Sequence, residues 1–216
     1  MSTVNKDLAA LDLSDYHLRQ LVSEFARNRC AFYIRYGENY QFIIAVDDNG
    51  VFLKLSPDYL LHHLIGRVRV AIRPAPIMKY FAISLDSSNE QVQTYLKTIS
   101  QAFGMPLIFV TKKSRVYTCC FFLRSLEGKG DIIRAIEYIL EKIFDSDSLR
   151  FCKIFPGSAK WFELPFGPGC YFLNPNTLEP MKMNKRTMVE YYFNFQKNST
   201  LTLNKILHNV EGLSCE

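Results

Sequence analysis

Apolar side chains recur at two different periods along this chain, and the switches between the periods lay out its elements. Leu18, Leu21, Val22 and Phe25 fall three or four residues apart behind Ser14, a residue type that caps helix N-termini, so the spacing predicts a helix over 14–29. Two strands over 31–36 and 40–46 follow, with Gly37 and Glu38 between them as the turn of a hairpin. Asp47-Asp48-Asn49-Gly50 then turns the chain into a short strand at 51–55. Ser56 and Pro57 read as N-cap and first helical position and Gly66 as the stop, framing a helix that carries Leu60, Leu61 and Leu64. From 67 to 72 the period becomes two: Val68, Val70 and Ile72 face one way, and Arg67, Arg69 and, beyond Ala71, Arg73 face the other as a basic stripe.

The second half repeats the alternation of elements. The apolar run 80–85 predicts a central strand, and Ser87 or Ser88 caps a helix whose Val92, Tyr95, Leu96, Ile99 and Phe103 form one face, ending at Gly104. Strands at 106–110 and 116–123 flank the basic turn Lys112, Lys113, Ser114 and Arg115. A helix over 130–144 shows Ile132, Ile133, Ile136, Ile139, Leu140 and Ile143. The segment 150–174, short-stranded and rich in Gly, Pro and aromatics, is expected to form a second β-layer with tight loops, and Asn184 caps a last helix to about 197. The expectation is an α/β (α+β) fold, a central mixed or antiparallel sheet flanked by helices with a smaller β-layer. A helical segment 1–30 packs on a domain 31–197, and a tail 198–216 holds at most a short helix.

Composition narrows the class. A chain of 216 residues, 48% hydrophobic and 22% charged, is that of one folded domain and excludes extensive disorder. Six cysteines, two of them adjacent and none in a CxxC pair, suit neither a zinc site nor a disulfide framework, so reduced, buried thiols are expected. No run of 18 apolar residues and no apolar leader is present, which points to a cytoplasmic protein with no membrane partner. A net charge of +5 and an aromatic share of 14% admit an anionic partner such as nucleic acid without requiring one.

Hydrolytic chemistry finds no footing. His62 and His63 are neighbours on a helix and diverge, so they do not chelate one ion together, while His17 and His208 read as exposed helix residues. No Ser or Cys has an identifiable His partner. The glycines Gly157, Gly167 and Gly169 lack the Gly-Lys-Ser/Thr ending of a phosphate-binding loop, and Trp161 and Phe162 read as core.

Five stretches, in order, resemble a known family. FLKLSPDYLLHHLIGRVRVAIRPAPIMKYFAISLD, with a helix ending His63-Leu64-Ile65-Gly66, is similar to the segment of primase-polymerase domains that leads through two strands into an Asp-x-Asp motif. VTKKSRVYTCCFFL stands where that family has a Ser/Gly-rich turn and a strand bearing a catalytic His; IFPGS, ELPFG and GCYFLNP resemble the three strand motifs that follow. Over residues 50–175 the chain therefore resembles the archaeo-eukaryotic primase superfamily, and within it the primase domain of TOTE conflict systems.

The resemblance implies chemistry that this chain lacks the residues for. Nucleotidyl transfer uses two divalent metals held by hard oxygen ligands. The family's first Asp falls on Ser84 and its second on Asp86; its His falls on Thr118, or on Cys119 if the turn is shifted by one; a third acidic position falls on Asn174. The expectation is a catalytically inactive primase-like module with no catalytic residues, no bound metal and no cofactor. It would bind nucleic acid, DNA favoured, or a protein partner on it, in a replication, mobile-element or defence system. The basic groups the resemblance puts along its groove are Arg67, Arg69 and Arg73, then Lys112, Lys113 and Arg115, then Lys182, Lys185 and Arg186. Two alternatives stand beside it: an active primase-polymerase with Mg or Mn at an unusual site on Asp86, and a structural subunit whose basic stripe meets an acidic protein face.

Overall fold

The structure is a computed structural model that describes residues 9–26, 32–36, 41–86, 91–111 and 116–213. Helix α1 (Asp15–Ala26) precedes the antiparallel strands β1 (Phe32–Arg35) and β2 (Ile43–Ile44), then helix α2 (Pro57–Ile65) and strands β3 (Arg69–Ile72) and β4 (Ile77–Asp86). Helix α3 (Val92–Phe103), strands β5 (Leu107–Thr111) and β6 (Val116–Gly128), helix α4 (Lys129–Ile143) and the short α5 (Ser146–Leu149) follow. Strands β7 (Cys152–Phe155), β8 (Phe162–Glu163) and β9 (Cys170–Leu173) lead to helices α6 (Lys185–Lys197) and α7 (Leu203–Leu213). These strands form two antiparallel sheets, one ordered β7-β4-β6-β5-β9 and a smaller one ordered β2-β1-β3-β8.

The main sheet is buried on both faces, and each face has its own aromatic layer. On one, Phe81 stacks on Phe121 at 4.9 Å between centroids and meets Phe103 of α3 at 5.8 Å, while Ile132, Ile136 and Ile139 of α4 bury the same side. On the other, Tyr80 contacts Phe155 and Phe162, and Phe122 meets Tyr192 of α6 edge-on at 5.1 Å. The twofold period of a strand places Tyr80, Ala82, Ser84 and Asp86 on this second face.

Local sequence accounts for most element ends. Ser56 Oγ accepts from Tyr59 N and Pro57 opens α2, and Gly66 closes it in the left-handed region at φ 86°. Asn184 Oδ1 accepts from Thr187 N at 2.8 Å and caps α6. The N-cap position of α3 is Gln91, with no side-chain cap bond; Ser87 and Ser88, the expected caps, and the hairpin residues Gly37 and Glu38 lie outside the described residues.

Three expectations are corrected. Residues 51–55 form no strand but one bridge, Phe52 to Val46, because Asp47 Oδ1 accepts from both Asn49 N and Val51 N and holds the chain in a turn. The segment 150–174 does not build a layer of its own: β7 and β9 become the two edges of the main sheet, and only β8 joins the smaller one. On β3 both Val70 and Ala71 are fully buried, because β1 and β8 pair with it on either side and its second face is covered as well. The tail carries the eleven-residue α7, which packs on α3 and α4. Ahead of it Leu201 bridges Leu123, and Arg124 N donates to Leu201 O at 2.8 Å, closing the edge of β6 beyond the reach of β5.

Candidate nucleic-acid interface

Ser84, Thr118 and Lys153 lie side by side on β4, β6 and β7, because the register pairs Ser84 with both Thr118 and Lys153. Cross-strand partners point to the same face, so the three share the second face of the main sheet. The hydroxyls of Ser84 and Thr118 are 3.1 Å apart, one donating to the other. The row continues through Phe109, paired with Thr118, and the next row toward the sheet end contains Asp86, Val116 and Thr111.

A cleft of ≈ 410 Å³ opens over this corner of the sheet. Its floor is Ser84, Thr118, Phe109 and Thr111, and its opposite wall is the segment that runs from β7 into β8, with Ser158, Lys160, Trp161 and Glu163. That wall is held by Ser158 Oγ, which accepts from Ile154 N at 2.9 Å, and by the pairing of Phe162 and Glu163 with Ile72 and Ala71. Trp161, expected in the core, is 36% exposed at the cleft, with one side against Tyr33 at 5.3 Å and Phe42 at 5.5 Å.

Glu163 is the carboxylate of the lining, and it is already engaged. Arg69 Nη1 donates to Glu163 Oε1 at 2.6 Å, and Arg35 approaches Oε2 at 3.9 Å from the neighbouring position of β1. Burial lowers the Arg35 pKa and the charge of Arg69 adds to the effect, while Glu163 opposes both. Arg35 Nε is buried without a hydrogen-bond partner, and the guanidinium lies over the Phe42 ring at 4.7 Å.

His63 links three elements from the end of α2. Its Nδ1 accepts from Val70 N at 3.2 Å, which fixes the proton on Nε2, and Nε2 donates to the carbonyls of Pro165 at 3.0 Å and Leu164 at 3.1 Å. Complete burial lowers its pKa to about 4, so the neutral ring is a structural clasp. His17 is likewise not an exposed residue: its side chain is 15% exposed, with Nε2 3.7 Å from Glu190.

The basic residues singled out by sequence are placed differently from one another. Arg69 is held by Glu163; Lys185 donates to the carbonyls of Phe166 and Gly167, with burial lowering its pKa; Arg186 pairs with Glu190 at 2.9 Å and Asp12 at 3.7 Å. Arg67, Arg73 and Lys182 are exposed. Lys112, Lys113 and Arg115 lie outside the described residues, and the residues flanking them, Thr111 and Val116, both line the cleft. Of the four positions matched to catalytic groups, the structure brings Ser84 and Thr118 together in the cleft and puts Asp86 at the exposed strand end beside them. Asn174 is elsewhere, its Oδ1 accepting from Asn176 N and Thr177 N in the turn after β9. Cys119 is buried and points away from the cleft, and burial raises its pKa. Among the described residues no three His, Cys, Asp or Glu side chains converge in a metal-binding group.

Sequence reasoning missed Lys153, Ser158, Lys160 and Arg35. The alternation of basic and aromatic residues in Lys160-Trp161-Phe162 was a usable signal.

Fold and site together define a two-sheet α/β protein with a basic and aromatic cleft between its sheets. No family model matches the chain, and no curated protein matches it. Among solved structures it is similar to the catalytic domain of primase Repb', determined in complex with initiator DNA, with a TM-score of 0.43 and 14% identity over 93% of this chain and 96% of that one. Among the described residues no helix is long and apolar enough to cross a membrane.

Proposed function

We propose that this protein is a primase-like module that binds nucleic acid without polymerising it. The observation that carries the reading is the Ser84–Thr118 hydroxyl pair, 3.1 Å apart, at the two positions where the family resemblance puts a metal-binding Asp and a catalytic His. Two neutral hydroxyls are poor ligands for a pair of divalent cations, which favour carboxylate oxygen. The carboxylate of the cleft, Glu163, is bound to Arg69 and Arg35, so it is not a second ligand to complement Asp86 at the strand end.

What remains is a cleft with aromatic and basic lining, and further basic residues exposed on the chain. Arg67, Arg73 and Lys182 are exposed, and Lys153 and Lys160 stand in the cleft itself. Such a surface favours a polyanion by releasing its counterions. The natural setting is a replication, mobile-element or defence assembly in the cytoplasm, with DNA as the polymer and a protein partner on it.

The test combines catalysis with binding. With template, nucleoside triphosphates and either Mg or Mn, no primer or extension product is expected; template-dependent synthesis overturns the inactive reading. Anisotropy of labelled single-stranded and duplex DNA across a salt series should show affinity that falls steeply with salt. Lack of binding to every nucleic acid tested overturns the binding reading.

A further inference from the structure

The tryptophan of this protein stands where a core residue was expected, and the way it is held suggests a use. Trp161 is the sole tryptophan and keeps 36% of its surface exposed. Leaving an indole in water forfeits much of the gain of burying it. Yet the side chain is not loose: Tyr33 and Phe42 back it at 5.3 and 5.5 Å, and its chain neighbour Phe162 is buried against Tyr80 and Phe155. The ring is thus fixed in advance beside the cleft, and little rotational freedom remains to be lost when something stacks on it.

Charge selects what stacks. Lys153 and Lys160 line the same cleft, and its carboxylate Glu163 is committed to Arg69 and Arg35. Two arginines against one carboxylate leave a net positive charge behind the lysines. The floor offers the hydroxyl pair of Ser84 and Thr118, in which one hydrogen is used between them and the other, with the remaining lone pairs, can meet the polar edge of a base. An aromatic platform, flanking cations and hydroxyls together fit a nucleobase carried on a phosphate backbone. In a duplex both faces of each base are covered by neighbours, so the platform fits an unpaired one.

We propose that Trp161 is a base-stacking platform for single-stranded nucleic acid, with Lys153 and Lys160 taking the flanking phosphates. This rests on the nucleic-acid reading above and names the strand and the contacts. A lone tryptophan provides its own reporter. Titrating the full chain with short oligothymidylate should quench the intrinsic fluorescence in step with the anisotropy of a labelled copy. Trp161→Ala should weaken single-strand binding about tenfold to a hundredfold, with Trp161→Phe retaining most of the affinity. Lys153→Glu with Lys160→Glu should lower the slope of log affinity against log salt by about 1.4, two single-strand phosphate contacts.

Thermal unfolding of each variant checks the fold; if Trp161→Ala fails to fold, Trp161→Phe decides by anisotropy and the double lysine variant by quenching and salt slope. Unchanged single-strand affinity in folded Trp161→Ala overturns the platform and leaves nucleic-acid binding intact. Failure of the wild-type chain to bind any nucleic acid removes both. Thymidine monophosphate binding as tightly as the oligomer overturns the strand in favour of a free nucleotide.

Discussion

Ser84 and Thr118 sit directly opposite one another on β4 and β6, their hydroxyl oxygens 3.1 Å apart and their side chains on the face that carries Asp86. Residues 84 and 86 share a face because a strand repeats every two residues. Replacing Ser84 by Asp and Thr118 by His should therefore place two carboxylates and an imidazole at one corner of the cleft. Calorimetry is expected to detect Mn²⁺ binding to that double variant and not to the wild type. Equal Mn²⁺ affinity in the two proteins would remove the hydroxyl pair as the reason for inactivity.

His63 makes folding sensitive to acid. Its folded pKa is about 4 against an ordinary 6.5, so between those values the unfolded chain binds a proton that the folded chain refuses. Stability is then fully expressed above pH 6.5 and declines as pH falls toward 4, by roughly 3 kcal/mol from this residue. Urea unfolding across this window should show that slope in the wild type and lose it in His63→Ala. The variant itself strands Val70 N–H and two carbonyls, at a cost of roughly 3 kcal/mol near neutral pH.

Gly66 and Gly50 both have positive φ, 86° and 76°, yet they should respond differently to alanine. A Cβ on Gly50 meets nothing within 4 Å, whereas one on Gly66 falls 2.3 Å from Pro168 Cγ, which the 164–168 loop presses onto the end of α2. Gly50→Ala should lose only the left-handed penalty, about 1 kcal/mol. Gly66→Ala should lose at least about 2 kcal/mol more through the collision. Denaturation midpoints of the two variants compare them directly, and equal losses would contradict the packing of this loop.

Glu163 holds two arginines, so removing its charge leaves them facing each other. Glu163→Gln is expected to destabilise the fold by about 3 kcal/mol. Arg69, 11% exposed within that pair, should behave the same way: its reversal to Glu is expected to lower the melting temperature before it alters salt-dependent DNA affinity. Reversal of exposed Arg73 should do the opposite. Circular dichroism melts alongside anisotropy separate the two outcomes.

Local chemistry fixes an element wherever the deciding interaction spans a few residues. The frame of α2, from Ser56 and Pro57 to Gly66, was legible because cap, first turn and stop lie within one stretch of chain. So were the Asn184 cap of α6, the apolar faces of α3 and α4, and the β4 and β6 strands. The likeness of four positions to a catalytic set was legible as well, since it resides in residue types and spacing.

What the sequence alone determined, then, is most of the series of helices and strands, the α/β class and the candidate positions Ser84, Asp86 and Thr118. Only the tertiary structure decided that Ser84 and Thr118 share a cleft while Asn174 serves a turn, and that β7 and β9 are edges of one sheet. It also decided that Arg69 and Lys185 are held within the fold and that Trp161 is at the cleft. The reason is range. Glu163 lies 94 residues from Arg69, and His63 reaches carbonyls 101 and 102 residues away. Periodicity shows which way a side chain points from its own strand, and the partner that meets it there is set by the packing of distant segments.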